Sequence, residues 1–143
     1  MPERDLDLLI SVAKEAAQIA VPLANGRAEM WEKSGGAGPV TEADLAVNAM
    51  LEARLKAARP DYGWLSEETE DDSDRLDKEY VWVVDPIDGT RAFIKGDPHY
   101  TVCVALVKDG KPILGAVFNP VTEEFFDAQL GKGARLNGAP IAV

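Results

Sequence analysis

The chain reads as an α+β domain: two N-terminal helices packed on an antiparallel sheet. Three observations support this. Apolar residues recur at helical spacing through the first part of the chain. Short runs rich in β-branched and aromatic residues take over after Gly63. Asp109-Gly110 and Asn137-Gly138 punctuate that second part with tight-turn signals, as a meander of strands requires. With 143 residues the chain has room for one domain with a real core, and its hydrophobic fraction of 46% is ordinary for a globular protein.

Leu6, Leu9, Ile10, Ala13, Ala16, Ala17 and Ala20 define the apolar stripe of the first helix, and Pro22 should kink or end it. Leu23 to Trp31 reads as its continuation. Lys33-Ser34-Gly35-Gly36-Ala37-Gly38-Pro39 is a Gly-rich, mobile loop. Thr41-Glu42-Ala43-Asp44 carries a capping signal for a second helix running to about Arg59, and Pro60-Asp61-Tyr62-Gly63 turns the chain. Trp64-Leu65-Ser66 is a short strand, followed by Glu67-Glu68 and an acidic loop through Asp77. Tyr80–Val84 is a buried strand ending at Asp85, and Arg91 to Lys95 is a helical turn. Thr101–Val107 and Ile113–Asn119 form a hairpin across Asp109-Gly110, Glu123–Ala128 is a further strand, and Ile141-Ala142-Val143 reads as another. A chain stopping on a strand is expected to continue in the natural protein.

Twenty-five acidic against 15 basic residues give a formal net charge of −10, which excludes a nucleic acid polymer as partner. One Cys and one His preclude an internal disulfide and a Cys/His zinc site. No apolar run approaches the roughly 20 residues that span a bilayer. Met1-Pro2-Glu3-Arg4-Asp5 lacks the basic start and apolar core of a signal peptide. The expectation is a cytoplasmic protein without membrane contact.

The chemistry concentrates at Asp85-Pro86-Ile87-Asp88-Gly89-Thr90. A rigid strand aims Asp85, Pro86 fixes φ, Gly89 permits a tight turn and Thr90 can open a helix. Two aimed carboxylates with the Ile87 carbonyl between them suit a hard cation such as Mg²⁺. Each motif also has a plainer reading. Thr41–Asp44 alone is an N-cap box, compatible with a second role for the carboxylate. Glu67-Glu68 alone, beside Glu70, Asp71, Asp72 and Asp74, reads as a solvated loop, although the strand ending favours Glu67. Asp85-Pro86 alone can be a structural turn, and Lys33 and Arg91 can be surface residues. His99 reads as structural, Cys103 as a core residue, and Trp31, Trp64 and Trp82 as packing residues, with Trp64 also able to flank the site.

Taken together and in order, Lys33, Thr41–Asp44, Glu67-Glu68, Asp85–Thr90 and Gly131–Gly138 resemble the inositol monophosphatase family of metal-dependent phosphatases. The resemblance covers nearly the whole chain and implies the N-terminal half of that family's layered sugar-phosphatase fold, residues 1–143 forming its metal-binding domain with the C-terminal half absent. Glu67, Asp85 and Asp88 then look like Mg²⁺ ligands with the Ile87 carbonyl. Asp44 and Thr90 resemble the pair that orients and deprotonates the attacking water, with Glu67 counted among the catalytic groups. Asp88, Gly89, Thr90 and Arg91 look like the substrate-binding set, and Lys33 resembles a loop lysine near the site.

The physics of such a cluster agrees. Carboxylates 4 Å apart repel by roughly 4 kcal/mol per pair at an effective dielectric of 20, so they do not converge without cations or protons. Divalent ions about 4 Å apart clamp an in-line displacement and lower the pKa of water. The implied activity is hydrolysis of a small phosphate monoester, inositol phosphate or a related ester, by direct attack of metal-activated water. Arg91 after Thr90 is closer to the 3′(2′),5′-bisphosphate nucleotidase and histidinol-phosphatase branches. A later segment that supplies another aspartate in the family is absent. A metal-binding assembly module lacking full activity, or a regulatory subunit pairing through exposed surface, is the non-enzyme alternative, and the full-length protein is expected to be a homodimer.

Overall fold

In the computed structural model, residues 2–33, 38–69, 71 and 73–142 are described. The first helix, α1, spans Pro2–Ala20. Its stripe closes over the core as the spacing predicts: Leu9, Ala13, Ala16 and Ala20 are fully buried, joined by Val12, with Leu6 and Ile10 at the edge of the packed cluster. The helix does not continue beyond Pro22. A 3-10 turn covers Val21–Leu23, and Asn25 and Gly26 then adopt positive φ, which a helix cannot accommodate. The stretch expected to extend the helix instead ends in strand β1, Met30–Glu32, which pairs antiparallel with β2, Pro39–Thr41. Trp31 therefore lies exposed on this small hairpin rather than packed in the core. Most of the Gly-rich loop, residues 34–37, lies outside the described residues.

Helix α2, Glu42–Ala58, buries Ala43, Val47, Leu51 and Leu55 against the sheet, together with the polar Asp44 and Asn48. Strand β3 is Gly63–Ser66 and β4 is Tyr80–Asp88. A short helix α3, Thr90–Lys95, follows, then β5 (Thr101–Lys108), β6 (Lys111–Asn119), β7 (Glu124–Gln129), β8 (Gly133–Leu136) and β9 (Ala139–Ile141). These strands form one sheet of order β3-β4-β5-β6-β7-β8-β9. The sheet is antiparallel except at one edge, where β3 and β4 run parallel. The connection between them, with its 3-10 turn at Asp74–Asp77, brings the chain back to the end where β3 began. Strand β8 is an addition to the predicted elements. It pairs with β7 through Arg135 opposite Asp127.

Both long helices lie on one face of the sheet, over Trp82, Val84, Val102, Val104, Leu106, Leu114, Ala116 and Phe125. The alternation of the strands sends a second set to the other face. There Val83, Ala105, Gly115, Ala128 and Ala134 form one row across the sheet, and Asp85, Cys103, Val117, Phe126 and Leu136 form the next. All of these but Leu136 line a shallow cleft of about 490 Å³ that Glu67 borders at one end. Cys103 is thus half-buried on this open face rather than in the helix-covered core. No helix among the described residues is long and apolar enough to cross a membrane.

Candidate active site

Three chain segments meet where α2 begins, β3 ends and β4 ends. The start of α2 is a capping box. Asp44 Oδ2 accepts from the Thr41 N–H at 2.8 Å and from the Thr41 hydroxyl at 2.7 Å, while Thr41 Oγ1 accepts from the amides of Ala43 and Asp44. The cap does not exhaust the carboxylate. Its other oxygen, Oδ1, accepts from Thr90 Oγ1 at 3.0 Å, which fastens the first turn of α2 to the first turn of α3. Asp44 is 2% exposed, so all three bonds form away from bulk water, where a charge-assisted bond is strongest.

The second segment departs from the predicted turn at Asp85. Strand β4 continues to Asp88, and the β4–β5 register shifts between these two aspartates. Pro86 has no N–H to give the ladder, so a bulge is the arrangement it permits. Asp85 stands opposite Cys103 and Asp88 opposite Thr101. Ile87 is buried, and its carbonyl oxygen lies 3.2 Å from Thr90 Oγ1. Gly89 caps α3 at φ 88°, and a Cβ there would stand 2.7 Å from the His99 carbonyl oxygen. Only glycine fits this closely approached backbone.

The third segment is the turn Ser66–Thr69. The Thr69 amide donates to the Ser66 carbonyl, and the Glu68 amide donates to Ser66 Oγ. Asn48 of α2 accepts from Ser66 Oγ at 2.5 Å and donates from Nδ2 to Thr69 Oγ1 at 2.8 Å. Trp64 Nε1 also donates to Thr69 Oγ1, at the end of this turn. Glu67 and Glu68 project from the middle of this turn. Glu68 is taken by Lys33, Nζ to Oε1 at 2.5 Å, with only 5% of the Glu68 side chain exposed. That bond raises the Lys33 pKa above its ordinary value, against the opposing pull of burial.

These segments surround Asp85 with negative charge. Burial foremost, then the carboxylates of Glu67, Asp88, Asp44 and Glu68, push the Asp85 carboxyl up to about 7. Among the described residues, no group of three His, Cys, Asp or Glu side chains closes into a ready-made ion cage. The donor chemistry fits a hard divalent cation: carboxylate oxygens and a backbone carbonyl gather around the half-buried Asp85, with Glu67 and Asp88 exposed beside it and Lys33 as a neighbouring cation on Glu68. Burial pushes the Cys103 thiol up as well, which makes it a poor nucleophile.

The structure therefore brings Asp44, Thr90, Ile87, Asp85, Asp88 and Glu67 into one neighbourhood, with Lys33 beside it through Glu68. Arg91 is exposed and lies over the backbone of Gly38, whose Cβ would stand 3.3 Å from Arg91 Nη2. His99, read as structural, has a largely exposed side chain paired with Asp97, and its carbonyl oxygen lies against Gly89. Sequence reasoning missed Asn48, Ser66 and Thr69. One signal was present: Asp44 and Asn48 are four residues apart, on the same buried helix face, where an asparagine needs partners.

The Inositol monophosphatase family profile matches residues 2–143. Inositol monophosphatase 2 of Solanum lycopersicum is 36% identical over 99% of this chain and 54% of its own length. Histidinol-phosphatase of Chlorobaculum parvum is 34% identical over 97% of this chain and 53% of its own length. Among solved structures, the extragenic suppressor protein suhB of Bartonella henselae superposes with a TM-score of 0.90 at 30% identity, over 98% of this chain and 54% of that one. An IMPase/NADP phosphatase complexed with Mg²⁺ and phosphate gives a TM-score of 0.83 at 25% identity, over 96% of this chain and 52% of that one. The chain spans about half the length of the curated relatives it matches. With the profile covering residues 2–143 and this fold beneath it, the chain belongs to the inositol monophosphatase family.

Proposed function

We propose that the protein is a Mg²⁺-dependent phosphomonoesterase that hydrolyses a small phosphate monoester, inositol phosphate or a close relative, to an alcohol and inorganic phosphate. The observation that carries the reading is the Thr90–Asp44 hydrogen bond set beside the Asp85 carboxylate cluster. The oxygen-only donor set supports magnesium, as does a similar structure described as holding Mg²⁺ and phosphate.

In this reading Glu67, Asp85 and Asp88, with the Ile87 carbonyl, hold the ion. When bound, Mg²⁺ lowers the pKa of an adjacent water and offsets the charge of the phosphoryl oxygens. The rest of the chemistry falls to the chain. Thr90 has one hydroxyl hydrogen. The charged Asp44 Oδ1 at 3.0 Å outcompetes the Ile87 carbonyl at 3.2 Å for it. Thr90 Oγ1 is then available only as an acceptor. A neighbouring water donates to it and keeps a lone pair for the phosphorus, and Asp44 takes up the water's proton through the Thr90 hydroxyl. Glu67 flanks the same water. Gly89 and Thr90 offer the first amides of α3 to the phosphate, with Asp88 and Arg91 alongside. The reading extends to a cytoplasmic protein that assembles as a homodimer at full length, which sedimentation tests.

The decisive experiment is phosphate release by the full-length protein from inositol phosphate, histidinol phosphate, a 3′-phosphorylated adenosine nucleotide and a sugar bisphosphate, with Mg²⁺ and with EDTA. Mg²⁺-dependent release from at least one is expected. Inertness on all four with Mg²⁺ would overturn the enzyme reading in favour of an assembly module. Preference for histidinol phosphate or the nucleotide would assign the branch that Arg91 and the Chlorobaculum relative suggest.

A further inference from the structure

We infer that Asn48 is a positioning residue that sets the Glu67 carboxylate for cation binding by gripping both ends of the turn that carries it. The inference rests on the proposed metal role of Glu67 and goes beyond it, because Asn48 touches no ligand. Three features point to this role. Asn48 is 6% exposed, and both ends of its carboxamide are used: Oδ1 accepts from Ser66 Oγ, and Nδ2 donates to Thr69 Oγ1. Those two hydroxyls bracket Glu67 and Glu68, so one planar group fixes the spacing across the turn. A hydrophobic side chain in its place would remove the acceptor of the buried Ser66 hydroxyl and a donor to Thr69 Oγ1, leaving the two ends of the turn untied from α2.

Helix α2 gives the grip its purpose. Asp44 and Asn48 lie one turn apart on the same face, and each reaches a different part of the site: Asp44 to Thr90 on α3, Asn48 to the turn after β3. Without this link, Glu67 would hang from an edge strand of four residues followed by an acidic loop. Glu68 is anchored separately by Lys33, so Asn48 is the bond that ties the Glu67 side of the turn to the helix bearing Asp44. Groups of this kind, one bond removed from a metal ligand, change metal affinity by roughly 10–100-fold when removed.

The test compares wild type, Asn48→Ala, Ser66→Ala, the double variant, and Val47→Ala, which removes buried volume from the same helix without touching the turn. Two readouts are independent of turnover: Mg²⁺ affinity by calorimetry, and amide hydrogen exchange at Glu68 and Thr69. For Asn48→Ala, affinity about tenfold weaker and clearly faster exchange at those two amides are expected, with Val83 unchanged. Ser66→Ala should add little on top of it, and Val47→Ala should lower stability while leaving Mg²⁺ affinity intact. Unchanged exchange at Glu68 and Thr69 would overturn the inference, and so would faster exchange with wild-type affinity. Equal loss of affinity in Val47→Ala would reduce Asn48 to a stabilising residue and overturn it as well. Absence of Mg²⁺ binding by wild type would overturn the metal reading itself, and with it this inference, a result distinct from the other three.

Discussion

Thr90 and Asp85 show how single atoms divide the work of this site. Thr90 sends its one hydrogen toward Asp44, and in the proposed reaction that hydroxyl serves catalysis rather than folding. Thr90→Val keeps the shape and removes the bond. Steady-state kinetics should show kcat lowered about a hundredfold with KM little changed. Equal loss in KM would move Thr90 from the reacting water to the substrate. Asp85 presents the opposite balance. Burial and four facing carboxylates make its charge unfavourable in the metal-free chain. Asp85→Asn should therefore stabilise that chain by about 1 kcal/mol, after discounting for solvent at a half-exposed group, and raise Tm by a few degrees. Lower stability in Asp85→Asn would show that the cluster is not frustrated as described. The aspartates were legible in the sequence because their spacing follows an apolar strand. Asn48 was not, because its partners lie on a turn that only the folded chain brings within reach.

At the scale of elements, the β4–α3 junction is the tightest constraint. The Gly89 φ and the His99 carbonyl leave no space for a methyl group. Gly89→Ala should cost about 2 kcal/mol or more in urea denaturation and also lower activity, since Asp88 and Thr90 flank the distorted residue. A neutral result would mean that the junction relaxes freely. The far end of α2 is pinned differently. Asp5 of α1 is fully buried and accepts from Arg59 Nε at 2.7 Å and from the Tyr62 hydroxyl at 2.8 Å. Burial, aided by that bond, pushes Tyr62 up to about 12. The unfolded tyrosine ionises near its ordinary pKa of about 10, so the contribution of Tyr62 is intact below pH 10 and is lost as pH rises from about 10 to 12. Denaturation at pH 9 and pH 11.5 should show a smaller alkaline loss in Tyr62→Phe than in wild type. Equal losses would place the alkaline sensitivity elsewhere. Helix α1, helix α2 and the β5–β6 hairpin were legible because apolar period, cap and turn residues agreed. The β1–β2 hairpin was not: its strands are three residues long, and Asn25-Gly26 broke the helix only through backbone angles that composition does not display.

At the scale of the molecule, one layer of helices covers one face of the sheet, and the site forms along the edge where that layer meets β3 and β4. The parallel pairing of β3 with β4 makes this possible, because it puts the ends of both strands, Ser66 and the Asp85–Asp88 bulge, at the same end of the sheet. Strand direction is invisible to period-two patterning, so an antiparallel sheet was the natural expectation. In the proposed function, acidic groups from these separate elements gather around Mg²⁺. The most direct measurement is a calorimetric Mg²⁺ titration near pH 7.5 of wild type, Asp85→Asn and Asp74→Asn. Saturable binding is expected for wild type, none for Asp85→Asn and near-wild-type binding for Asp74→Asn. Wild-type affinity in Asp85→Asn would contradict that arrangement.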